Sequence, residues 1–238
     1  MYKRQDSKDI LSSLENRILK HLFSMRSDFL HPYVGLKIRA YQKSLDFIEN
    51  NMANAIVCNN RSEVFNYALK YIKDQGLVLE FGVKSGNTIK ELANKPKLQK
   101  RIIYGFDSFT GIPEDWQGTK TLKGQLSNLG KLPKVPKNVK LITGLFKDSL
   151  PEFSKTHSED IALIHIDCDL YSSTKDIFDN LAGKMVDGTV IIFDEFFNYP
   201  NWQNHEYKAF QEFLDSSGFR ARYVCYAHTQ VAVALESS

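Results

Sequence analysis

Residues 77–89 read Leu-Val-Leu-Glu-Phe-Gly-Val-Lys-Ser-Gly-Asn-Thr-Ile, and the remainder of the chain is best understood outward from them. The apolar start is typical of a strand buried in a parallel sheet, and Glu80 falls where that strand should end. Gly82 and Gly86 frame a tight turn, and the two polar residues that follow offer oxygens to cap a helix. The pattern predicts a strand, a turn and a helix N-terminus with N–H donors beside an acid. Such a turn suits a ligand that carries a carboxylate, an ammonium and a ribose.

The turn reads Glu-x-Gly-x-x-x-Gly and resembles motif I of class I methyltransferases that use S-adenosyl-L-methionine (SAM). A plain strand–helix turn with two glycines would read the same way. Asp107 lies twenty-one residues after Gly86, at the end of the second expected strand. Folds that bind dinucleotides or SAM place an acid there against the ribose hydroxyls, although an aspartate that only forms a turn is the alternative.

Alternating apolar segments and helical patterns predict a doubly wound, Rossmann-like α/β fold. We expect a mostly parallel sheet of seven strands with a C-terminal antiparallel hairpin. The expected strands are 77–80, 101–106, 139–143, 161–166, 189–193, 219–227 and 230–235. Apolar residues at helical spacing before the first of them predict helices over about 10–25, 36–52 and 62–76.

The composition describes an ordinary soluble chain of 238 residues, of which 42% are hydrophobic and 25% charged. A net charge of +3 is too small to imply nucleic acid or membrane by itself. Cys58, Cys168 and Cys225 are widely separated, so neither a disulfide framework nor a zinc site is indicated. Because no long apolar run or signal-peptide pattern occurs, we expect a cytoplasmic protein.

A basic segment follows the second expected strand. Lysines recur at 120, 123, 131, 134, 137, 140 and 147, and residues 117–147 contain no acid. Glycines and prolines break regular structure through the first two-thirds of this segment. Long loops in compact domains are often lids or binding loops, so we expect a mobile lid that favours an anionic or polar ligand. The alternative is a solvated surface segment.

Carboxylates gather at the expected carboxyl ends of the strands, where ligands bind in doubly wound sheets: Glu80, Asp107, Asp167, Asp169, Asp194 and Glu195. They would repel one another unless positive charge lies among them or some of them face solvent or cap helices. A sulfonium ligand supplies one charge at the first strand, and a hard cation such as Mg²⁺ is the economical choice at the fourth and fifth. Asp169 stays open, since it and Asp167 cannot both face inward if the strand continues.

Several blocks carry a more specific resemblance: 78–86, 104–115, 141–150, and above all 165–174 with 194–197. Together they resemble the macrocin O-methyltransferase family, class I enzymes that use SAM to methylate hydroxyls of sugars and phenols. The family's Asp-x-Asp-x-Tyr matches Asp167, Asp169 and Tyr171. Its Asp-Asp pair is Asp194-Glu195 here, so the last ligand has a longer arm.

The resemblance implies a methyltransferase domain over 76–238, with 1–75 as an N-terminal helical cap of the same domain. It implies SAM contacts from the glycine turn and the neighbouring strand ends: Glu80, Gly82, Val83, Ser85, Gly86, Asp107, Ser108 and Phe146. It implies Mg²⁺ ligands at Asp167, Asp194 and Glu195, with Asp167 as the candidate base. His205 is a second candidate base, whereas His165 lies inside a strand and is interpreted as a core residue.

The sequence fits three other functions less well. Nucleic-acid amino-methyltransferases typically carry Asn/Asp-Pro-Pro-aromatic after the fourth strand, where this chain has Asp-Cys-Asp-Leu-Tyr. A non-catalytic SAM-binding protein has no need of the second acidic cluster, and a nicotinamide oxidoreductase would need a third glycine. We therefore expect O-methylation of a small-molecule or sugar hydroxyl, without nucleic acid or membrane. The amphipathic first helix suggests a homo-oligomer.

Overall fold

The sheet is the centre of the structure, a computed structural model that describes residues 31–237. Its strands, in chain order, are β1 (Ile56–Val57), β2 (Leu77–Phe81), β3 (Ile103–Asp107), β4 (Val139–Thr143), β5 (Ile161–Ile166), β6 (Val190–Phe193), β7 (Arg220–Tyr226) and β8 (Val231–Glu236). They are ordered β1-β7-β8-β6-β5-β2-β3-β4 across the sheet. Only β8 runs antiparallel to its neighbours, so the predicted mostly parallel sheet and C-terminal hairpin are confirmed.

Helices cover both faces of this sheet. They are α1 (Pro32–Asn51), α2 (Arg61–Ala68), α3 (Asn87–Ala93), α4 (Phe146–Thr156), α5 (Tyr171–Leu181) and α6 (Glu206–Ser217). The helix predicted over 10–25 lies outside the described residues. In the part of the chain that is described, no helix combines the length and apolar character that a membrane crossing requires.

An apolar cluster on each face of the sheet explains why the strands are almost wholly apolar. Leu79 and Phe81 of β2 face a cluster that includes Phe153 of α4, Phe178 of α5 and Phe210 of α6. A second cluster, on the other face, joins alternate strand residues to the apolar sides of α2 and α3. Because parallel strands with helices on both sides are buried on both faces, they need no polar face. The doubly wound prediction is confirmed.

An eighth strand, β1, is the main departure from the prediction. Ile56 and Val57 pair in parallel with Cys225 and Tyr226 at the edge of the sheet. Two residues are too few to show a strand period, which is why the sequence pattern did not reveal β1. The segment before β2 therefore contributes to the sheet, and the division of the chain near residue 75 stays a prediction.

Helix starts differ from the predicted ones. The His31 side chain caps α1 by accepting from the Tyr33 N–H, and Pro32 occupies the first helical position, where its missing N–H costs nothing. Asn60 caps α2 by accepting from the Glu63 N–H, so this helix begins at Arg61 and not at the predicted residue 62. These shifts arise because side chains just before the apolar pattern already satisfy the helix N–H groups.

Gly82 sets how closely the end of β2 approaches the end of β5. Its φ is +99°, and a Cβ atom there would lie 1.7 Å from the Asp167 carbonyl oxygen. The Asp167 N–H in turn donates to the Phe81 carbonyl at 2.8 Å. Only glycine permits both the left-handed backbone and this contact. The glycine turn and the first acid of the fourth-strand motif are thereby fixed against each other.

Candidate active site

A cavity of about 400 Å³ opens at the carboxyl ends of the parallel strands. Its walls come from the turn after β2, the end of β3, the turns after β5 and β6, and the long connection between β3 and β4. Of the residues expected to bind SAM, six line this cavity: Gly82, Val83, Ser85, Asp107, Ser108 and Phe146. This is where doubly wound sheets bind their ligands.

Asp107 is fixed by two short backbone hydrogen bonds. The Lys84 N–H donates to Oδ2 and the Phe109 N–H donates to Oδ1, each at 2.6 Å. These bonds join the glycine turn to the end of β3, and the half-buried carboxylate remains on the cavity wall. Each carboxylate oxygen keeps a free lone pair for a ligand hydroxyl.

Glu80 does not reach the cavity. Its side chain is fully buried, with Thr88 Oγ1 donating to Oε1 at 2.8 Å and His165 Nδ1 lying 3.1 Å from Oε2. Glu80 is still inside β2, so its side chain points to a face of the sheet and not out of the edge. Gly86 also lies behind the cavity wall, as the N-cap of α3 with φ of +79°. Both residues support the glycine turn without lining the cavity.

His165 is packed as a core residue. It has no exposed surface, and its ring meets Phe65 edge-on at a centroid distance of 5.0 Å. Its Nδ1 is taken up by Glu80. The ring is therefore held between β5 and α2 and does not line the cavity.

Asp167, Asp194 and Glu195 meet on the cavity wall. One carboxylate oxygen of each lies within 4.8 Å of the others. They converge because Ile166 and Phe193 are paired at the ends of neighbouring parallel strands, and the acids follow directly. Within residues 31–237, Asp194 Oδ1 and Glu195 Oε2 are buried without a hydrogen-bond partner. Arg61 forms an ion pair with Asp194, with Nη1 3.6 Å from Oδ2.

The electrostatics of this cluster are strained. Burial, followed by the charges of neighbouring carboxylates, raises the pKa of Asp167 and of Glu195 well above their usual values. Burial and the charge of Asp194 raise the pKa of Asp169 to about 7. Carboxylates in such surroundings must take up protons or gain a counter-charge.

The cluster fits a hard divalent cation. Mg²⁺ prefers carboxylate and water oxygens at about 2.0–2.1 Å, so two oxygens on opposite sides of the ion lie about 4.2 Å apart. The three carboxylates offer oxygens within 4.8 Å of one another, close to that spacing, and two of their oxygens have no hydrogen-bond partner in the described residues. Asp167, Asp194 and Glu195 are the residues that would hold the ion.

Asp169 also lines the cavity, which answers the question left open by the sequence. β5 ends at Ile166, and Asp169 adopts a left-handed backbone with φ of +67°. The strict alternation of a strand therefore no longer applies, and Asp167 and Asp169 both face inward.

Glu206 is a buried acid that the sequence analysis missed. It begins α6, has no exposed surface, and its Oε1 accepts from the Asp169 N–H at 3.1 Å. Burial and the charge of Asp169 raise the pKa of Glu206 well above its usual value. An acid at a helix start reads as a favourable dipole partner, so the sequence alone gives no signal for this contact.

His205 lies behind the cavity wall. Its Nε2 is 2.7 Å from the Gln117 carbonyl oxygen, and its ring lies edge-on to Trp116, which does line the cavity. Burial lowers the pKa of His205, which favours the neutral ring. Because its Nε2 contacts the loop carbonyl, His205 anchors the loop and does not itself line the cavity.

The connection 108–138 between β3 and β4 has no helix or strand and covers the cavity. Trp116 and Leu126 contribute side chains to the wall. At Gly118 the loop packs so closely on the segment after β6 that a Cβ atom would lie 2.6 Å from the Pro200 carbonyl oxygen. Five lysines of this connection are exposed: Lys120, Lys123, Lys131, Lys134 and Lys137.

Comparisons with known proteins agree with this geometry. A family model described as Macrocin-O-methyltransferase (TylF) matches residues 36–221. The chain is similar to the calicheamicin methyltransferase CalS11, with a TM-score of 0.59, 18% identity, and coverage of 97% of this chain and 94% of that one. A second CalS11 structure, described as an apo TDP-rhamnose 3'-O-methyltransferase, gives 0.52 at 18% identity, covering 98% and 96%.

The O-methyltransferase NovP is similar as well, with a TM-score of 0.53, 19% identity, and coverage of 74% of this chain and 78% of that one. A search of the curated proteins found no match. At these identities the structural likeness establishes a shared fold.

Proposed function

We propose an acceptor class, a metal and a base for this chain. The chain belongs to the macrocin O-methyltransferase (TylF) family and is a SAM-dependent O-methyltransferase. The acceptor is a hydroxyl of a sugar or other natural product. The observation that carries the proposal is the meeting of Asp167, Asp194 and Glu195 on the wall of the cavity that the glycine turn also lines. A methyl donor at the turn and an acceptor oxygen at the acids would then be neighbours.

The donor half of the cavity supports SAM binding at the turn. Gly82, Val83 and Ser85 line the cavity, and so does Asp107, whose carboxylate is fixed by two N–H groups. In this proposal Asp107 accepts from the ribose hydroxyls of SAM, as acids do at this position in related sheets. Glu80 acts indirectly, by holding α3 through Thr88.

The acceptor half supports deprotonation of a hydroxyl. The hydroxyl oxygen forms a bond to the methyl carbon as the bond from that carbon to the sulfonium sulfur breaks, giving an ether and S-adenosylhomocysteine. Asp167 takes the hydroxyl proton, since its carboxylate lies on the cavity wall where the acceptor oxygen is proposed to bind. When bound, Mg²⁺ would supply the charge that lowers the pKa of the hydroxyl. His205 is not needed for the step.

The similarity to CalS11, whose description names TDP-rhamnose, favours a sugar hydroxyl within this class. Trp116 is an aromatic residue in the lining of the cavity, and aromatic rings commonly contact sugar and phenol rings. The proposed setting is a cytoplasmic homo-oligomer that acts without nucleic acid or membrane, in keeping with three buried free cysteines.

A labelled-methyl assay tests the acceptor class. Wild-type protein is supplied with methyl-labelled SAM, Mg²⁺ and a panel of nucleotide-linked sugars, free sugars, phenolic natural products and RNA. We expect mass spectrometry to find one labelled methyl ether on a sugar or phenol. Label on RNA, or on a nitrogen of any panel member, would contradict the proposed acceptor and favour the nucleic-acid alternative.

Replacing Asp107 with alanine should weaken SAM binding by about 5- to 150-fold, equal to about 1–3 kcal/mol, because charge-assisted hydrogen bonds to the ligand are lost. Isothermal titration measures the change. The matched control is Asp115→Ala, in the connection that follows β3. The Asp115 carboxylate accepts a hydrogen bond from the Lys123 N–H at 2.8 Å. Wild-type SAM affinity in folded Asp107→Ala protein would count against this binding site.

A further inference from the structure

The turn after β5 holds its two acids in a conformation that needs support. Asp169 has φ of +67°, a region that residues other than glycine rarely occupy. The Leu170 N–H donates to the Cys168 carbonyl at 2.7 Å, which tightens the turn further. Asp167 and Asp169 both face the cavity only because the chain turns in this way.

The support comes from α6, through the side chain of Glu206. This residue is the first of the helix and has no exposed surface. Its Oε1 accepts from the Asp169 N–H at 3.1 Å, across a sequence separation of 37 residues. A buried N–H group is costly to leave without a partner, so loss of this acceptor would destabilise the turn.

Glu206 is itself anchored by a well-packed helix. Phe210 of α6 is fully buried, and Phe213 stacks on Phe178 of α5 at a centroid distance of 4.6 Å. At the start of the helix, Tyr207 meets Trp202 edge-on at 4.9 Å. The Glu206 carboxylate therefore approaches the turn from a rigid element.

Glu206 is not one of the carboxylates that meet within 4.8 Å, a set that in the described residues consists of Asp167, Asp194 and Glu195. It touches the backbone behind the acids. We propose that Glu206 is a positioning residue, which holds the turn 167–169 so that Asp167 is directed at the cation shared with Asp194 and Glu195. This inference rests on the proposed metal site.

The test separates the reach of the side chain from its charge. Glu206→Gln keeps an oxygen that can accept from the Asp169 N–H, whereas Glu206→Asp keeps the charge on a side chain one methylene shorter. Glu206→Ala removes both. Glu212→Ala is the matched control, because Glu212 is on the same helix and accepts from the Tyr171 hydroxyl at 2.8 Å without touching the turn.

The readout is Mn²⁺ binding to the full chain by electron paramagnetic resonance, alongside S-adenosylhomocysteine binding by calorimetry and a thermal melt. We expect Glu206→Ala and Glu206→Asp to bind Mn²⁺ about 10- to 100-fold more weakly, as when other groups that orient metal ligands are removed. Glu206→Gln should stay within about threefold of wild type because its oxygen still accepts. Glu212→Ala should bind Mn²⁺ normally, and S-adenosylhomocysteine affinity should hold in every folded variant.

Two results would overturn the inference alone: wild-type Mn²⁺ affinity in both Glu206→Ala and Glu206→Asp, or a loss in Glu206→Gln at least as large as that in Glu206→Asp, because the effect would then not follow the acceptor oxygen. If Glu206→Ala does not fold, the Asp and Gln variants decide. Wild-type protein that binds S-adenosylhomocysteine but no Mn²⁺ would overturn the proposed metal site and this inference with it.

Discussion

Asp167→Asn should lower kcat for methyl transfer by about 1,000-fold, because one change removes both a charged cation ligand and the proposed base. Asparagine has nearly the same shape, so the close contact of Gly82 with the residue 167 carbonyl is kept. The glycine turn and Asp107 are unaffected, and SAM affinity should therefore stay at its wild-type value. Steady-state kinetics and SAM calorimetry on the same preparation give the two quantities.

Glu195→Gln is the matched comparison for this prediction. Both residues line the cavity and both have raised pKa values caused first by burial, but only Asp167 is assigned the proton. We expect Glu195→Gln to lose about tenfold in kcat, well short of the loss in Asp167→Asn. Equal losses in the two variants would remove the separate role of Asp167 as a base. A large loss of SAM affinity in Asp167→Asn would show that the two halves of the cavity are not independent.

The fold was predictable because its strongest signals are local. The apolar runs at 77–79 and 161–166 each show a strand whose two faces are buried, and the paired glycines mark the turn after the first of them. The hairpin near the C-terminus was clear from its alternation and short turn. β1 was not predictable, since Ile56 and Val57 join the sheet through tertiary pairing with β7 and carry no period of their own.

The acidic cluster followed from topology. Asp167 comes directly after β5 and Asp194 directly after β6, and neighbouring parallel strands end at one edge. Glu80 shows the limit of the same reasoning. It is one residue from the end of β2 but still inside the strand, so the alternation of side chains turns it to the sheet face and towards His165. Position within or just after a strand decides which acids reach the ligand.

The sequence does not predict contacts between segments that lie far apart in the chain. Glu206 meets the turn after β5, and His205 meets Gln117, through packing between segments far apart in the chain. Neither residue type nor spacing distinguishes these side chains from others at a helix start. The basic segment was correctly placed after β3, whereas its docking through Gly118 on Pro200 depends on backbone shape that no pattern reports.

Removal of divalent cations is the most direct test of the central claim, that buried carboxylates at adjacent strand ends use a cation to activate an acceptor hydroxyl. The initial rate of labelled-methyl transfer to the acceptor found in the panel is measured with Mg²⁺, after EDTA, and after Mg²⁺ is returned. EDTA already saturated with Mg²⁺ is the control for the chelator, and SAM binding is measured in EDTA throughout.

We predict that EDTA lowers the rate by more than about 100-fold, because a bound cation contributes several kcal/mol of charge stabilisation. Returned Mg²⁺ should restore the rate, and SAM should bind equally well in all three conditions. Full activity in EDTA, with SAM bound, would contradict the account and leave Asp167, Asp194 and Glu195 as a structural cluster.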